Sequence, residues 1–446
     1  MSKNKTLEAM AEALKKGGIQ AAYNFPGFNS HVLFDYLGGT ITSTNEKIAY
    51  ELAWGSSQAG KPALVTFKNV GLNDAADPFI NSMLTGAGSG LVLAVFDDIE
   101  LEGSQCILDS RHYFGFYGGL WLEPFDFMSL IVLAEAAPRL SRIFDVPVVI
   151  RLTNQAVRFD EQDTRPFLSA DTIVDLAKTF VGEKFAKPQV EPVVHPINGD
   201  AHRKLVTAKN KEIQLFTNEL HRLINIDGIK GEVYCGHNAH TADSHIVTLP
   251  VPEKSLGTVE AVHEVGDSVV AKELAFQTAT ATFKSKNIGY NLENANHYIV
   301  TPRYERLMRL LKPHFDYITG DLGEYTKDTL HTLTHCLCFG SAISAAIGMS
   351  EAGKKALAIT GDASFYHSAK NALVEAELRG TTVKVVLLDN GGSQGTGGQK
   401  IPGVMPKDIE VTEIDFDVTE SDELKRVVDA FVKSSKSAIL KVNHKV

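Results

Sequence analysis

The sequence predicts an α/β protein with two parallel sheets and a smaller α/β module between them. Three observations carry this. Short, strongly apolar runs such as 91–96 and 383–388 recur between stretches of helical period. That is the pattern of strands buried on both faces of a helix-covered sheet. The alternation fills 5–157 and resumes from 317. Between the two blocks, 184–200 (KFAKPQVEPVVHPINGD) is proline-rich and irregular, which marks a boundary. The expected division is 1–183, 184–310 and 311–446.

In chain order, Leu7, Ala11 and Leu14 form one face of a helix that Gly17-Gly18 ends. A strand over 21–25 runs into Pro26-Gly27, and a helix follows over 46–59. Strands are expected at 62–67, 90–96 and 146–152. In the middle part, 209–224 reads as a helix, with strands at 232–234 and 244–249. In the last block, strands at 355–359 and 383–388 flank a helix at 369–379. A helix at 422–433 and a strand at 437–442 close the chain. Apolar runs such as 91–96 and 130–133 are strand-length, well short of the roughly 20 residues of a membrane span.

The chain has 446 residues, 44 basic against 54 acidic, a net charge of −10. This balance lacks the basic footprint of a nucleic-acid or anionic-membrane ligand, so neither partner is expected. Four cysteines, Cys106, Cys235, Cys336 and Cys338, are too few for a disulfide scaffold. They read as free thiols in a reducing, cytoplasmic setting, and no signal peptide is visible. Cys336 and Cys338 have no second pair to complete a zinc or iron–sulfur site, so no iron–sulfur cluster is expected in this chain. His237, His240 and His245 have no cysteine or acid to complete a metal site.

The chemistry concentrates in the last block. The strand at 355–359 ends in Thr360-Gly361-Asp362-Ala363-Ser364, and the strand at 383–388 ends in Asp389-Asn390-Gly391-Gly392. Ligands bind at the carboxyl ends of adjacent strands in such sheets. Asp362 and Asn390, 28 residues apart across one strand–helix–strand unit, would lie side by side there. With a backbone carbonyl at Gly392 they make a hard-oxygen set suited to Mg²⁺ holding a diphosphate. Gly340-Ser341 opens a helix of small residues and offers an anion site at its N-terminus.

These motifs resemble a known family. GDAS followed by DN is similar to the GDG…NN signature of thiamin diphosphate enzymes. GDASFYHS, VVLLDN and GTGGQKIPG resemble the thiamin-binding domain of the indolepyruvate ferredoxin oxidoreductase large subunit. Phe25-Pro26-Gly27, Asn45-Glu46-Lys47 with Gly55, Val70-Gly71-Leu72-Asn73 with Ala75-Ala76-Asp77-Pro78, and Ser104-Gln105 with Asp109-Ser110-Arg111 resemble segments of its N-terminal domain. Val262–Asp267 resembles another segment, faintly. The sequence departs from the family in two places. It ends at Val446 without the cysteine-rich ferredoxin-like domain, and Asn69 stands where the family has a histidine.

The resemblance implies two thiamin-diphosphate-binding domains, pyrimidine-side and diphosphate-side, and two cofactors, thiamin diphosphate and Mg²⁺. Glu46, nine residues before Gly55, is implied to be the acid on the aminopyrimidine ring. Pro26, Gly27, Asn73, Gly340, Ser341, Gly361, Asp362, Ala363, Ser364 and Asn390 are the implied cofactor contacts. His367 is a candidate for proton transfer, because histidine titrates near neutral pH. Asn73, Arg111 and His112 are candidates to meet substrate. The expected activity is cleavage of a small 2-oxo acid, with non-oxidative decarboxylation through an enamine favoured. The alternatives are an oxidoreductase large subunit whose clusters sit on a separate electron-transfer partner, and a catalytically silent subunit. A homodimer is expected.

Overall fold

Two all-parallel sheets organise the chain in the computed structural model, which describes residues 4–104, 109–111, 113–114, 118–162, 164, 166–181, 199–224, 304–327, 332–393 and 398–444. The first sheet holds β1 (Ala21–Asn24), β2 (Ala63–Lys68), β3 (Leu91–Asp97), β4 (Leu120–Leu122) and β5 (Val148–Thr153), in the order β1-β2-β3-β5-β4. The second holds β6 (Tyr317–Gly320), β7 (His335–Cys336), β8 (Ala356–Gly361), β9 (Lys384–Asp389), β10 (Glu410–Asp415) and β11 (Ala438–Asn443), in the order β10-β11-β9-β8-β6-β7. Every pairing among these strands is parallel. The two-sheet α/β architecture is therefore the one that the alternation of apolar runs predicts.

The helices are α1 (Lys5–Gly17), α2 (Ser30–Tyr36), α3 (Glu46–Gln58), α4 (Gly71–Asp74), α5 (Ala76–Thr85), α6 (Phe127–Phe144), α7 (Ala170–Phe180), α8 (Gly199–Leu223), α9 (Glu305–Leu311), α10 (Ala342–Glu351), α11 (Asp362–His367), α12 (Ala372–Arg379) and α13 (Ser421–Lys433). Side chains alternate across the second sheet, as pleating requires. Ala358, Val385, Leu387 and Ile439 face a core continuous with that of the first sheet. Leu357, Ile359, Val386, Leu388, Leu440 and Val442 face an outer core with Leu307, Met308 and Leu311 of α9 and Leu424, Val428 and Phe431 of α13. Helix α8 packs on the first unit, with Phe216 5.3 Å from Phe144 and the Lys209 ammonium 2.8 Å from Asp145.

The seam between the units is α3 against α10. A Cβ on Gly55 would lie 2.3 Å from the Ala345 carbonyl oxygen, and one on Gly348 would lie 2.1 Å from that of Leu52. Only glycine lets the two backbones come this close.

Some elements differ from the sequence expectation. The apolar run 130–133 lies inside α6, whose N-terminus carries a capping box between Asp126 and Ser129. A short apolar run does not by itself separate strand from buried helix. Strand β10 is largely exposed and charged, so it carries no apolar signal. The helix expected at 369–379 begins as a 3-10 turn over Ala369–Asn371 before α12. The strands expected at 232–234 and 244–249 and the segment Val262–Asp267 lie outside the described residues, as does most of 184–200. Among the described residues, no helix is long and apolar enough to cross a membrane.

Candidate active site

The candidate site begins where β1 and β2 end. Asn24 ties the two strands there: its Nδ2 donates to the carbonyls of Phe25 and Thr66, both at 2.9 Å. Pro26 and Gly27 follow, and Gly27 leaves only enough room for the Lys68 stem beside it. Glu46 is the first residue of α3. Asn45 caps that helix, its Oδ1 accepting from the Ile48 N–H at 2.8 Å. A Cβ on Gly71 would lie 2.6 Å from Glu46 Oε1, so the VGLN turn is pressed against this carboxylate. Glu46 is half-buried. Burial raises its pKa, as does the nearby Asp74 carboxylate, while Lys68 pulls it down. Fixed position and raised proton affinity are what a proton-exchanging acid needs.

The second half lies at the ends of β6, β8 and β9. The tetrapeptide Ile-Thr-Gly-Asp occurs twice, at 318–321 and 359–362, at the ends of the neighbouring strands β6 and β8. The chain runs from β6 to β7 on one side and then to β8 on the other, so this is the sheet's switch point, where ligands bind in such folds. Asp362 is almost wholly buried by the surrounding chain. Burial raises its pKa, and so does the Asp389 carboxylate beside it, while the Gly392 N–H stabilises the charged form. Asp389 also lies 3.3 Å from the Lys441 ammonium. Asn390 is half-buried in the same loop.

Asp321, the other ITGD aspartate, has no free carboxylate for a ligand. It accepts from the Ala342 N–H and from Thr360 Oγ1, both at 2.6 Å, and burial raises its pKa. It therefore sits at the N-terminus of α10, where Gly340-Ser341 were expected to hold an anion. The Gly340 N–H is also used, donating to Ser364 Oγ at 2.9 Å. Gly340 has φ +86°, and a Cβ there would overlap Ser368 Oγ, so its glycine serves the turn. Ser341 Oγ bonds back to Cys338. The repeated ITGD is the signal that could have found Asp321 from sequence.

A chain of contacts joins the two halves. The Lys47 ammonium lies 3.0 Å from Glu51, 3.0 Å from Asp77 and 3.3 Å from Cys338 Sγ. Cys338 leads through Gly340 to Ser364, two residues beyond Asp362. The N-terminus of α3 and the loop before α10 thus meet within one chain. Cys336 and Cys338 are both buried, as expected, and Cys338 is also part of this polar seam.

The other candidates are scattered. Ala363 and Gly361 flank Asp362, with the Ala363 N–H donating to Asp362 Oδ1 at 2.7 Å. His367, exposed at the end of α11, lies edge-on to Phe339, with ring centroids 5.1 Å apart. Asn73 is exposed on α4. Arg111 is not presented to a ligand: its guanidinium is buried on Asp109 at 2.6 Å and faces Glu123 at 3.7 Å. It belongs to a network in which Arg151 bonds Asp97 and Glu123. Gln105, Cys106, His112, Cys235, His237, His240 and His245 lie outside the described residues.

Known proteins resemble this chain in sequence and in fold. Residues 320–442 match the family described as thiamine pyrophosphate enzyme, C-terminal TPP binding domain. Over most of its length the chain resembles indolepyruvate oxidoreductase subunit IorA. The Archaeoglobus fulgidus protein of that name is 24% identical over 89% of this chain and 76% of its own length. The Methanothermobacter marburgensis protein is 24% identical over the same shares. The Thermococcus kodakarensis IorA is 32% identical, over 33% of this chain and 24% of its own. Among solved structures, the thiamine diphosphate-dependent 4-hydroxybenzoylformate decarboxylase of Rhodococcus jostii RHA1 superposes with a TM-score of 0.55 over 99% of both chains, at 13% identity. At that identity the likeness is one of fold.

The residues present fit the cofactor that this IorA-like pattern implies. Asp362 and Asp389 bring two carboxylates to one strand-end site, where burial first and the Asp389 charge second raise the Asp362 pKa, and a hard cation would relieve that repulsion. Among the described residues no group of three or more His, Cys, Asp or Glu could hold a metal ion.

Proposed function

We propose that this chain is the thiamine diphosphate-binding subunit of a 2-oxo acid oxidoreductase that passes electrons to iron–sulfur centres on a separate partner. The observation that carries the reading is similarity across 89% of the chain to proteins named as oxidoreductase subunits. It favours this alternative over the non-oxidative decarboxylation preferred on sequence grounds. Bound at the seam, thiamine diphosphate would supply the electron sink for cleaving the bond between a keto carbon and its carboxylate. Asp362, Asn390 and the Gly392 carbonyl would hold Mg²⁺ and through it the diphosphate. Glu46 would hold and release a proton at the pyrimidine ring, its position set by Asn45 and Gly71. His367, exposed and in contact with Phe339 of the loop before α10, would move protons near the substrate. The working protein is proposed to be at least a homodimer.

The test combines the purified chain with thiamine diphosphate, Mg²⁺ and indolepyruvate, phenylpyruvate or pyruvate. CO₂, free aldehyde and viologen-dye reduction are followed in parallel, with and without a cysteine-rich partner protein. Dye reduction that depends on the partner, without matching aldehyde release, is the expected outcome. Aldehyde release without dye reduction would sink the oxidative reading.

A further inference from the structure

The segment that leads into Glu46 is gripped from the other unit. Arg379, the last residue of α12, donates through one terminal nitrogen to the Ile41 carbonyl at 3.2 Å and to Ser43 Oγ at 3.1 Å. Glu375, one turn earlier and wholly buried, accepts from Arg379 Nε at 2.6 Å with one oxygen. Its other oxygen accepts from the Thr44 backbone N–H at 2.8 Å. Glu351, at the end of α10, lies 3.3 Å from the other Arg379 nitrogen and accepts from the Tyr23 hydroxyl at 2.9 Å. The guanidinium also lies 5.2 Å from the centre of the Tyr23 ring.

The clamp crosses from diphosphate-side elements to the four residues before Asn45 and Glu46. As a source of stability such a buried pair is weak, because desolvation offsets the attraction and an apolar contact would join the units as well. What a planar guanidinium and a two-oxygen acceptor supply is direction: each bond fixes one group of the segment in space. Three of those groups, Ile41 O, Ser43 Oγ and Thr44 N–H, set how the chain enters α3. On the far side, Lys47 is held by Glu51, Asp77 and Cys338.

We infer that Arg379 and Glu375 are positioning residues that aim the Glu46 carboxylate, so that the diphosphate-side unit controls the acid on the pyrimidine-side unit. The inference rests on the reading of Glu46 proposed above. It predicts a specific pattern of loss. Misplacing a reacting group by about 1 Å costs up to roughly a hundredfold in rate, whereas the cofactor is anchored elsewhere.

The experiment compares the wild-type chain with R379A, R379K, E375Q and E46Q. Three quantities are read. They are the NMR rate of C2 hydrogen–deuterium exchange in bound thiamine diphosphate, calorimetric affinity for thiamine diphosphate with Mg²⁺, and backbone amide exchange of 41–46 in the cofactor-free chain. R379A should slow C2 exchange by about tenfold or more. It should also speed amide exchange in 41–46 and leave cofactor affinity within about threefold. R379K, which keeps the charge but not the fork, should recover part of the rate. E375Q preserves volume, so it answers the question if R379A does not fold. A wild-type C2 rate in R379A or E375Q, while E46Q is slow, overturns the inference alone. A wild-type rate in E46Q overturns the reading of Glu46 itself.

Discussion

Glu51 shows what the seam does to a single residue. It lies one turn beyond Lys47, its side chain is 1% exposed, and burial pushes its pKa from an ordinary 4.5 up to about 7 against the pull of the Lys47 ammonium 3.0 Å away. A carboxyl held protonated more tightly when folded favours the folded state below pH 4.5 and loses that contribution as pH rises to about 7. Relative to E51Q, the wild-type chain should therefore lose on the order of 3 kcal/mol of stability across that window and no more above it. Denaturant unfolding of both proteins at a series of pH values tests this. A difference that is flat from pH 4.5 to 8 would show that Lys47 fully offsets burial. Nothing in the local sequence marks Glu51 as unlike a surface i,i+4 pair. Glu46, in contrast, is singled out in the sequence by the resemblance of Asn45-Glu46-Lys47 with Gly55 to a family segment, and its role is the one proposed above.

For single elements, the decisive contact is the crossing of α3 and α10. In an exposed helix, replacing glycine by alanine stabilises by roughly 1 kcal/mol. Here the added Cβ meets backbone carbonyls at 2.1 and 2.3 Å, which no side-chain rotation relieves. We expect G348A and G55A each to destabilise instead, by about 1–3 kcal/mol. The double variant should cost less than the sum, because both act on one crossing. Chemical denaturation gives the sign directly, and a stabilised G348A would mean that the helices do not pack this closely. The same crossing explains why the small residues of α10 lie together in sequence: Ser344, Ala345 and Gly348 leave space for a neighbouring backbone.

At the level of the whole molecule, the proposed homodimer has a surface to account for. Val374 and Leu378, one turn apart on α12, are each 54% exposed in the single chain. Exposed apolar pairs on one helix face are candidates for burial in an assembly. Sedimentation equilibrium at micromolar concentration should give twice the chain mass, and activity should fall on dilution toward the monomer. A monomer that turns over at full rate would sink the proposal.

By itself the sequence determined the two parallel sheets, because strands buried on both faces must be written as continuous apolar runs, as in β3 and β9. It also determined that the strands ending in Asp362 and in Asp389-Asn390 lie side by side, because a strand–helix–strand unit returns the chain to the same sheet in parallel. Only the tertiary structure decided the rest. It gave the α10 N-terminus to Asp321, buried Arg111 among acids and set Asp389 against Asp362. It also brought Arg379 to the approach to Glu46 across 336 residues from Ser43. Those outcomes depend on which polar groups find partners when two units close on each other. Hydrophobic period records which face of an element is buried, and it is silent on which charge the other side presents.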